Sequence, residues 1–589
     1  MAVMQRLWWV FCLLCAQLVG CASSVPVECP QGLELGVNGC EPEPTDRMED
    51  PPDAGMTPDA GATPDASTCD DAECADDNEC TVDRCEEESC TNQLAEDGTA
   101  CVFEDGAGLC ESGACVRDCE IEDCREVYPC TEQGLRDAID AGGETVIGCN
   151  GPTTVALQDG ELLMTKDVSI DGLGLLTIDA EGRSRVFNAS ETAHVELIGI
   201  NITGGNAATE SESNGGGVFG SGDTVITLRG CTVLGNTALI YGGGIRTSGQ
   251  LFLEDTTVTN NSADRHGGGI ALWQGAVISN SVVSDNVTVG RGGGVYIVLS
   301  PTYGSTPVTV RDSTLARNQA GATGGAVWTK DTLTIEGTTF EDNSAVEGGG
   351  AIRNVEASVT IRESHFEGNN ASAGGAIAND RGIETIISDT RFVENWTTAS
   401  SGGAIFTDAT TLDVVNGSFE GNRARTGAGA VYSKNSACTF TSSTFTGNEA
   451  NVGGAFRFYG NTVDRIDALF RNCTISGNRA NDIGGASADR SATVQMHHTT
   501  VTGNTAANQG AGIHQIQNSV LEASYSVIDA GCYSEPDSLL VSLGYNAVLS
   551  TATEQCVLTP VDGVNTDLIL SPEEMKLEAL ADNGGSTLT

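Results

Sequence analysis

Basic residues are the first scarcity. Lysine and arginine number 29 against 81 aspartates and glutamates, a formal net charge of −52. A surface this acidic argues against nucleic acid or an anionic bilayer face as partner, and serves solubility. Aromatics are also few, at 5%. With 74 glycines beside them, the expectation is many tight turns and a core of small β-branched side chains. Beyond the first 20 residues no stretch is long and apolar enough to span a bilayer. The 589 residues are too many for one compact core, but not for a repeat stack, which grows in one dimension.

What is present begins with a targeting segment. Arg6 precedes an apolar run from Leu7 to Leu18, broken only by Cys12, Cys15 and Gln17. That run is too short to span as a mature helix and fits a signal sequence. Leu18-Val19-Gly20-Cys21 resembles the lipobox of bacterial lipoproteins. The resemblance implies that residues 1–20 are removed and that Cys21 is diacylated as the new N-terminus. Ala22 follows, not the aspartate that retains such proteins at an inner membrane. The implied location is therefore the outer membrane, facing the cell exterior or the periplasm, with the lipid as the only membrane contact.

Residues 21–68 read as a linker, with Pro-Asp-Ala repeated at Pro52, Pro58 and Pro64 and no periodic apolar residues. Such a run forms a disordered stalk. From Glu41 to Cys130 there are 28 acidic and 4 basic residues, so nearly half the net charge lies there. Ten cysteines between Cys69 and Cys124 mark residues 69–128 as a small disulfide-rich module of an oxidising compartment, its pairing left open. Asp70, Asp71, Glu73, Asp76, Asp77 and Glu79 could ligate calcium, but they lack the spacing and glycine of a binding loop. The expectation is a solvated acidic face and no cofactor or metal. Residues 129–150 read as a cap: Thr131 to Gly142 suit one amphipathic helix, bracketed by Cys130 and Cys149, which are placed to pair.

Repeats then fill residues 151–530. Two small residues, then Gly or Ala, precede an apolar position at Val218, Ile245, Ile270, Val295, Val327, Ile352, Ile377, Ile405, Val431, Phe456 and Ile513, with Ser487 in the same place. In step with it, an apolar residue stands three before each of Asn236, Asn261, Asn286, Asn318, Asn343, Asn369, Asn395, Asn422, Asn448, Asn478 and Asn504. A period of roughly 25 residues is too short for a strand plus a crossover helix and suits one turn of a parallel β-solenoid. Like strands would stack about 4.8 Å apart, giving about 15 coils and a rod on the order of 70 Å. The asparagines would form a ladder, each bonded to its neighbours.

Gly402-Gly403-Ala404-Ile405 with Phe419-x-x-Asn422 resembles the polymorphic outer-membrane-protein repeat family over residues 200–515. The resemblance implies an all-β, right-handed, single-stranded parallel β-helix of the pectate-lyase type, displayed at a surface and in some members adhesive. Cys130 to Ile139 resembles the leader motif before many bacterial β-helices, with Gly134 departing from it. Residues 531–589 are similar to the start of a choice-of-anchor Q domain and are read as a partial one. No barrel follows, which leaves Cys21 as the expected anchor.

Acids that could serve chemistry occur in the column just before the ladder. It reads Gly235, Asn260, Asp285, Arg317, Asp342, Gly368, Glu394, Gly421, Gly447, Gly477 and Gly503. Its acids lie two coils apart, roughly 10 Å, a poor arrangement for glycoside cleavage. His266, His497, His498 and His514 are scattered and read as surface residues. The residue after each apolar repeat position should face outward. That column contains Tyr296, Trp328, Arg353, Phe406, Tyr432 and Arg457, with Ala378 as a gap. Two readings are open: the side chains stabilise one another at ~0.2–1 kcal/mol per pair, or they form a strip that binds sugars or a protein. The functional expectation is a non-enzymatic surface lipoprotein that recognises a carbohydrate or protein. A β-helix polysaccharide lyase or glycoside hydrolase is the competing expectation.

Overall fold

The computed structural model describes residues 125–190, 192–207, 213–298, 304–461, 465–529, 531–549, 556–561 and 566–575, together with seven short strands nearer the N-terminus. The chain divides into two compact units at residue 122. In the first, Leu33–Gly36 pairs antiparallel with Gly39–Pro42, and Thr81–Glu86 with Ser89–Leu94. Ala100–Phe103, Gly106–Glu111 and Ala114–Arg117 form a three-stranded antiparallel sheet. Cys21, the Pro-Asp-Ala stalk, the acidic cluster at 70–79 and the partial-anchor residues 576–589 lie outside the described residues.

The second unit is a parallel β-helix. The coil that starts at Ile352 shows its plan. Strand Ile352–Val355 lies in one sheet, Ser358–Arg362 and His365–Glu367 in another, and Asn370–Ala371 in a third. Four left-handed residues bend the coil, Glu356 at φ 57°, Glu363 at φ 49°, Gly368 at φ 63° and Gly374 at φ 60°. The next coil then stacks in register, Ile352 on Ile377 and Phe366 on Phe392. Repetition gives a 33-stranded sheet carrying two strands of most coils, and a 15-stranded sheet carrying one. The third sheet has seven short strands, then a break, then three more.

Most coils close through a glycine pair, with Ala428 and Ala511 each replacing one member in its coil. Gly349 sits at φ 68°, and a Cβ on Gly350 would fall 2.1 Å from the Gly375 carbonyl oxygen of the next coil. Glycine lets the chain bend there and still stack at the least steric cost. Inside, Ile, Val and Leu line the sheets as expected, but the scarce aromatics are in the core as well. Phe340, Phe366, Phe392, Phe419 and Phe445 form a buried stack with ring centroids 4.6–4.9 Å apart. In-register stacking brings like residues together, so a few rings suffice to fill one corner.

Two ladders satisfy the corners. In the first, each asparagine Oδ1 accepts from the backbone N–H and the Nδ2 of the asparagine one coil earlier. Asn369 Oδ1 takes both from Asn343 at 3.0 Å. Its own Nδ2 donates to the Phe340 carbonyl and to Asn395 Oδ1 at 2.9 Å. The second ladder, at the bend that Glu363 makes in its coil, uses hydroxyls: the N–H of Thr256 donates to Ser281 Oγ, and that of Ser281 to Ser313 Oγ, each at 3.1 Å.

The cap forms as the sequence suggests. Helix α1 (Glu132–Ala141) is N-capped by Thr131, whose hydroxyl accepts from Gly134 N–H at 3.1 Å, and buries Leu135, Ala138 and Ile139. Cys130 and Cys149 are disulfide-bonded. Gly134 departs from the leader motif because a Cβ there would strike the Pro129 carbonyl oxygen at 2.0 Å. At the far end the stack runs past residue 530, where the repeats were expected to stop. Cys532–Ser534 extends the 15-stranded sheet, Leu539–Gly544 through Leu568–Leu570 extend the larger one, and Cys532 bonds Cys556. Asn546 and Asp567 take over the hydroxyl ladder there, with the Asn546 N–H on Asp567 Oδ1 at 3.0 Å.

Candidate functional site

The asparagine column is an internal support. All eleven residues from Asn236 to Asn504 are at most 4% exposed, so none is offered to a ligand. A second polar column runs through the core itself, at Thr329, Asn354, Asn379, Thr407, Ser433, Asp489 and Gln515. There Asp489 accepts from Ser487 Oγ at 2.5 Å and Gln515 Nε2 at 2.7 Å. Burial pushes its carboxyl up to about 7 against these hydrogen bonds.

The outward column does face away from the core, but it is not an open platform. Tyr296 and Trp328 are only 7% and 5% exposed. The bend at the glycine pair folds the coil back over this strand, so Gly324 lies against the Trp328 backbone. Neighbouring columns then cover the rings. Tyr296 stacks on Trp328 at 4.8 Å and on His266 at 4.6 Å, Tyr241 joins the same cluster, and Arg291 lies over Trp328. The expected solvent exposure of Tyr296 and Trp328 is therefore corrected: they are sealed by one another and by the corner. Further along, Arg353 turns onto Asp380 at 2.8 Å, Phe406 stacks on Tyr432 at 5.4 Å, and Arg457 lies over Gly427. These four remain partly exposed.

Of the histidines expected at the surface, His498 is exposed, His266 and His497 are half-buried and His514 is buried. His514 is 3% exposed. His266 is held between Tyr241 and Tyr296, and its Nδ1 accepts from Arg291 N–H at 3.1 Å. Burial, then the positive Arg291 and Arg265, push it down to about 4, so it is neutral at ordinary pH.

A different surface brings polar groups together. A depression of about 650 Å³ opens on the outer side of the third sheet, where that sheet is interrupted. Strand Trp396–Thr397 ends the run of seven, and the next coil continues only through isolated bridges from Trp396 to Arg423 and from Arg423 to Glu449. Alternation turns Thr397 and Ala424 inward and leaves Trp396, Arg423 and Arg425 exposed. The column before the ladder lends Asp342, Gly368, Glu394 and Gly421, and Asn481 lies at the far end. Gly368 makes room for its neighbour, since a Cβ there would meet Asp342 Oδ1 at 2.4 Å. Trp396 is 42% exposed. Among the described residues neither Arg423 nor Arg425 forms an ion pair. By contrast Asp285, in the same column as Asp342, is tied to Arg317 through two bonds of 2.9 Å, and that bonding with its positive charge holds the Asp285 carboxyl below its ordinary value. Asp342 and Glu394 lie two coils apart with Gly368 between them, and the tryptophan and arginines come from the other side of the corner.

Among the described residues no three His, Cys, Asp or Glu side chains are grouped to hold a metal, and no helix is long and apolar enough to cross a membrane.

A model of the right-handed β-helix region matches residues 154–340 and 302–465, together more than half of the chain. Comparison with curated proteins gave no match. Among solved structures, a mannuronic acid specific polysaccharide family 6 lyase enzyme from human gut microbiota aligns with 76% of this chain and 91% of its own at 10% identity. Its TM-score is 0.27, too low to carry an argument about activity.

Proposed function

Since this chain belongs to the right-handed β-helix family, a scaffold that hosts many functions, we propose that it is a non-enzymatic recognition protein of the cell surface. It is held at the outer membrane by an acyl chain on Cys21 and binds a carbohydrate or a protein through the face of its third sheet. The observation that supports this reading is the depression around Trp396. A half-exposed indole and two guanidinium groups that form no ion pair among the described residues stand together there on a protein that is otherwise acidic and poor in aromatics. Tryptophan and arginine are the side chains that most often dominate binding.

The competing reading is a polysaccharide lyase or hydrolase acting in the same depression, with Glu394 as its carboxylate. The purified protein is incubated with a panel of polysaccharides, with and without calcium, and reducing ends and unsaturated products are measured. The proposal expects binding without products. Product release that Glu394→Gln abolishes would replace it with the enzyme.

A further inference from the structure

We propose that the depression at Trp396 takes a neutral polysaccharide, lying along the helix axis with one pyranose ring against the indole. The inference rests on the recognition reading above and names its ligand class.

Shape comes first. The lining runs from Asp342 to Asn481 over six successive coils, a length on the order of 24 Å at the usual strand spacing. A site this long and shallow suits several rings of a linear chain better than one compact molecule. Its volume of about 650 Å³ lies within the range of binding pockets.

The lining gives the chemistry. Asp342, Glu394, Glu449, Arg423, Arg425 and Asn481 all carry planar groups with two hydrogen-bonding atoms on one edge. Such edges match adjacent hydroxyls of a sugar ring, with the carboxylates accepting and the guanidinium groups donating. Trp396 offers an apolar surface for the C–H face of one ring. Little else in the lining is apolar beyond Ala424 and the methyl of Thr397, so the site lacks the dry pocket in which a protein side chain would anchor.

Charge decides between neutral and acidic sugars. Three carboxylates and two guanidinium groups leave the lining close to balance, while the chain as a whole carries −52. A polyuronate would approach against that field and meet three carboxylates at the site. A neutral chain gains the same hydrogen bonds without the repulsion.

The test is calorimetric titration of the intact chain with neutral hexasaccharides of glucose, xylose, mannose and galactose. Hexauronates form the acidic arm and an unstructured peptide mixture the protein arm. The expected result is binding of at least one neutral hexasaccharide, unchanged between low and high salt because no ion pair forms. Trp396→Ala should weaken it at least about tenfold, and Arg423→Ala should weaken it too, with melting temperatures unaltered at these exposed positions. Binding of hexauronates alone, or of peptide alone, with the same loss in Trp396→Ala, would overturn the neutral-sugar assignment and leave the recognition site standing. Saccharide binding that Trp396→Ala and Arg423→Ala both leave intact would overturn the site. Failure of every arm to bind would overturn the assignment as well. Cleavage of a bound hexasaccharide would instead remove the non-enzymatic reading.

Discussion

Replacing Asn369 by leucine isolates one rung of the ladder. The carboxamide makes four hydrogen bonds, two accepted from Asn343 and one donated each to Phe340 and Asn395. Leucine removes all four while keeping a similar volume. The losses are unequal. The Asn395 Oδ1 keeps the backbone N–H of residue 369 at 3.1 Å, and Asn343 Nδ2 keeps the Leu315 carbonyl at 2.8 Å. The Asn343 N–H loses the only acceptor it has in this corner and is fully buried. One orphaned buried amide costs about 1–3 kcal/mol. With the lost bonds to the Phe340 carbonyl and Asn395 Oδ1 added, roughly 3 kcal/mol is expected, about a hundredfold in the local opening equilibrium. Solenoid coils couple mainly to their neighbours, so the damage should stay near coils 343, 369 and 395. Hydrogen exchange read by mass spectrometry tests this. Peptides covering residues 340–370 and 392–397 should lose protection, while peptides around Asn478 and Asn504 should not. Asn370→Leu, one residue away and partly exposed on the third sheet, is the control. Equal exchange in Asn369→Leu and wild type, or a loss no greater than in the control, would refute the argument that the ladder holds the corner.

Three further outcomes follow from the same structure. The Asp489 carboxyl is raised to about 7 from the usual 3.8, so between those values the folded chain keeps a proton that the unfolded chain has released. Stability should therefore fall as pH rises from 4 to 7 and then level, by roughly 4 kcal/mol from this group; Asp489→Asn should flatten that part of the urea-midpoint profile, and an unchanged slope would count against it. Trp328→Ala should cost about 3–5 kcal/mol as a large-to-small change at a buried site, lowering the melting temperature without touching saccharide binding; a melt equal to wild type would mean the ring is not sealed. Cys21→Ser should abolish acyl labelling and release the protein from the membrane fraction, and a retained label would refute the lipobox reading.

The coil was legible because two short motifs recur at one period, and in-register stacking turns sequence recurrence into spatial adjacency. That is why Phe340, Phe366 and Phe392 could be placed in one column from spacing alone. The hydroxyl ladder was not legible, since its rungs vary between Thr256, Ser281, Cys231 and Gly417 and have no single signature. Alternation placed Trp328 outside the core, yet it carries no information about a concave corner, where an outward side chain can still be covered by Tyr296 and Arg291. The inner polar residues Asn354, Asn379 and Asp489 were missed because a core position was assumed to be apolar. The depression required knowing where the third sheet breaks, and its lining gathers residues from Asp342 to Asn481 that share no motif.

The asparagine ladder has a direction. Each carboxamide oxygen serves the N–H of the coil before it, as Asn343 is served by Asn369 and Asn369 by Asn395. A coil is therefore finished only by its successor in the chain. A polypeptide that emerges N-terminus first can fold behind its own leading edge, with the unmet amides of one corner waiting for the next 25 or so residues and no more. The growing front is always the youngest coil, and every older rung is already closed behind it.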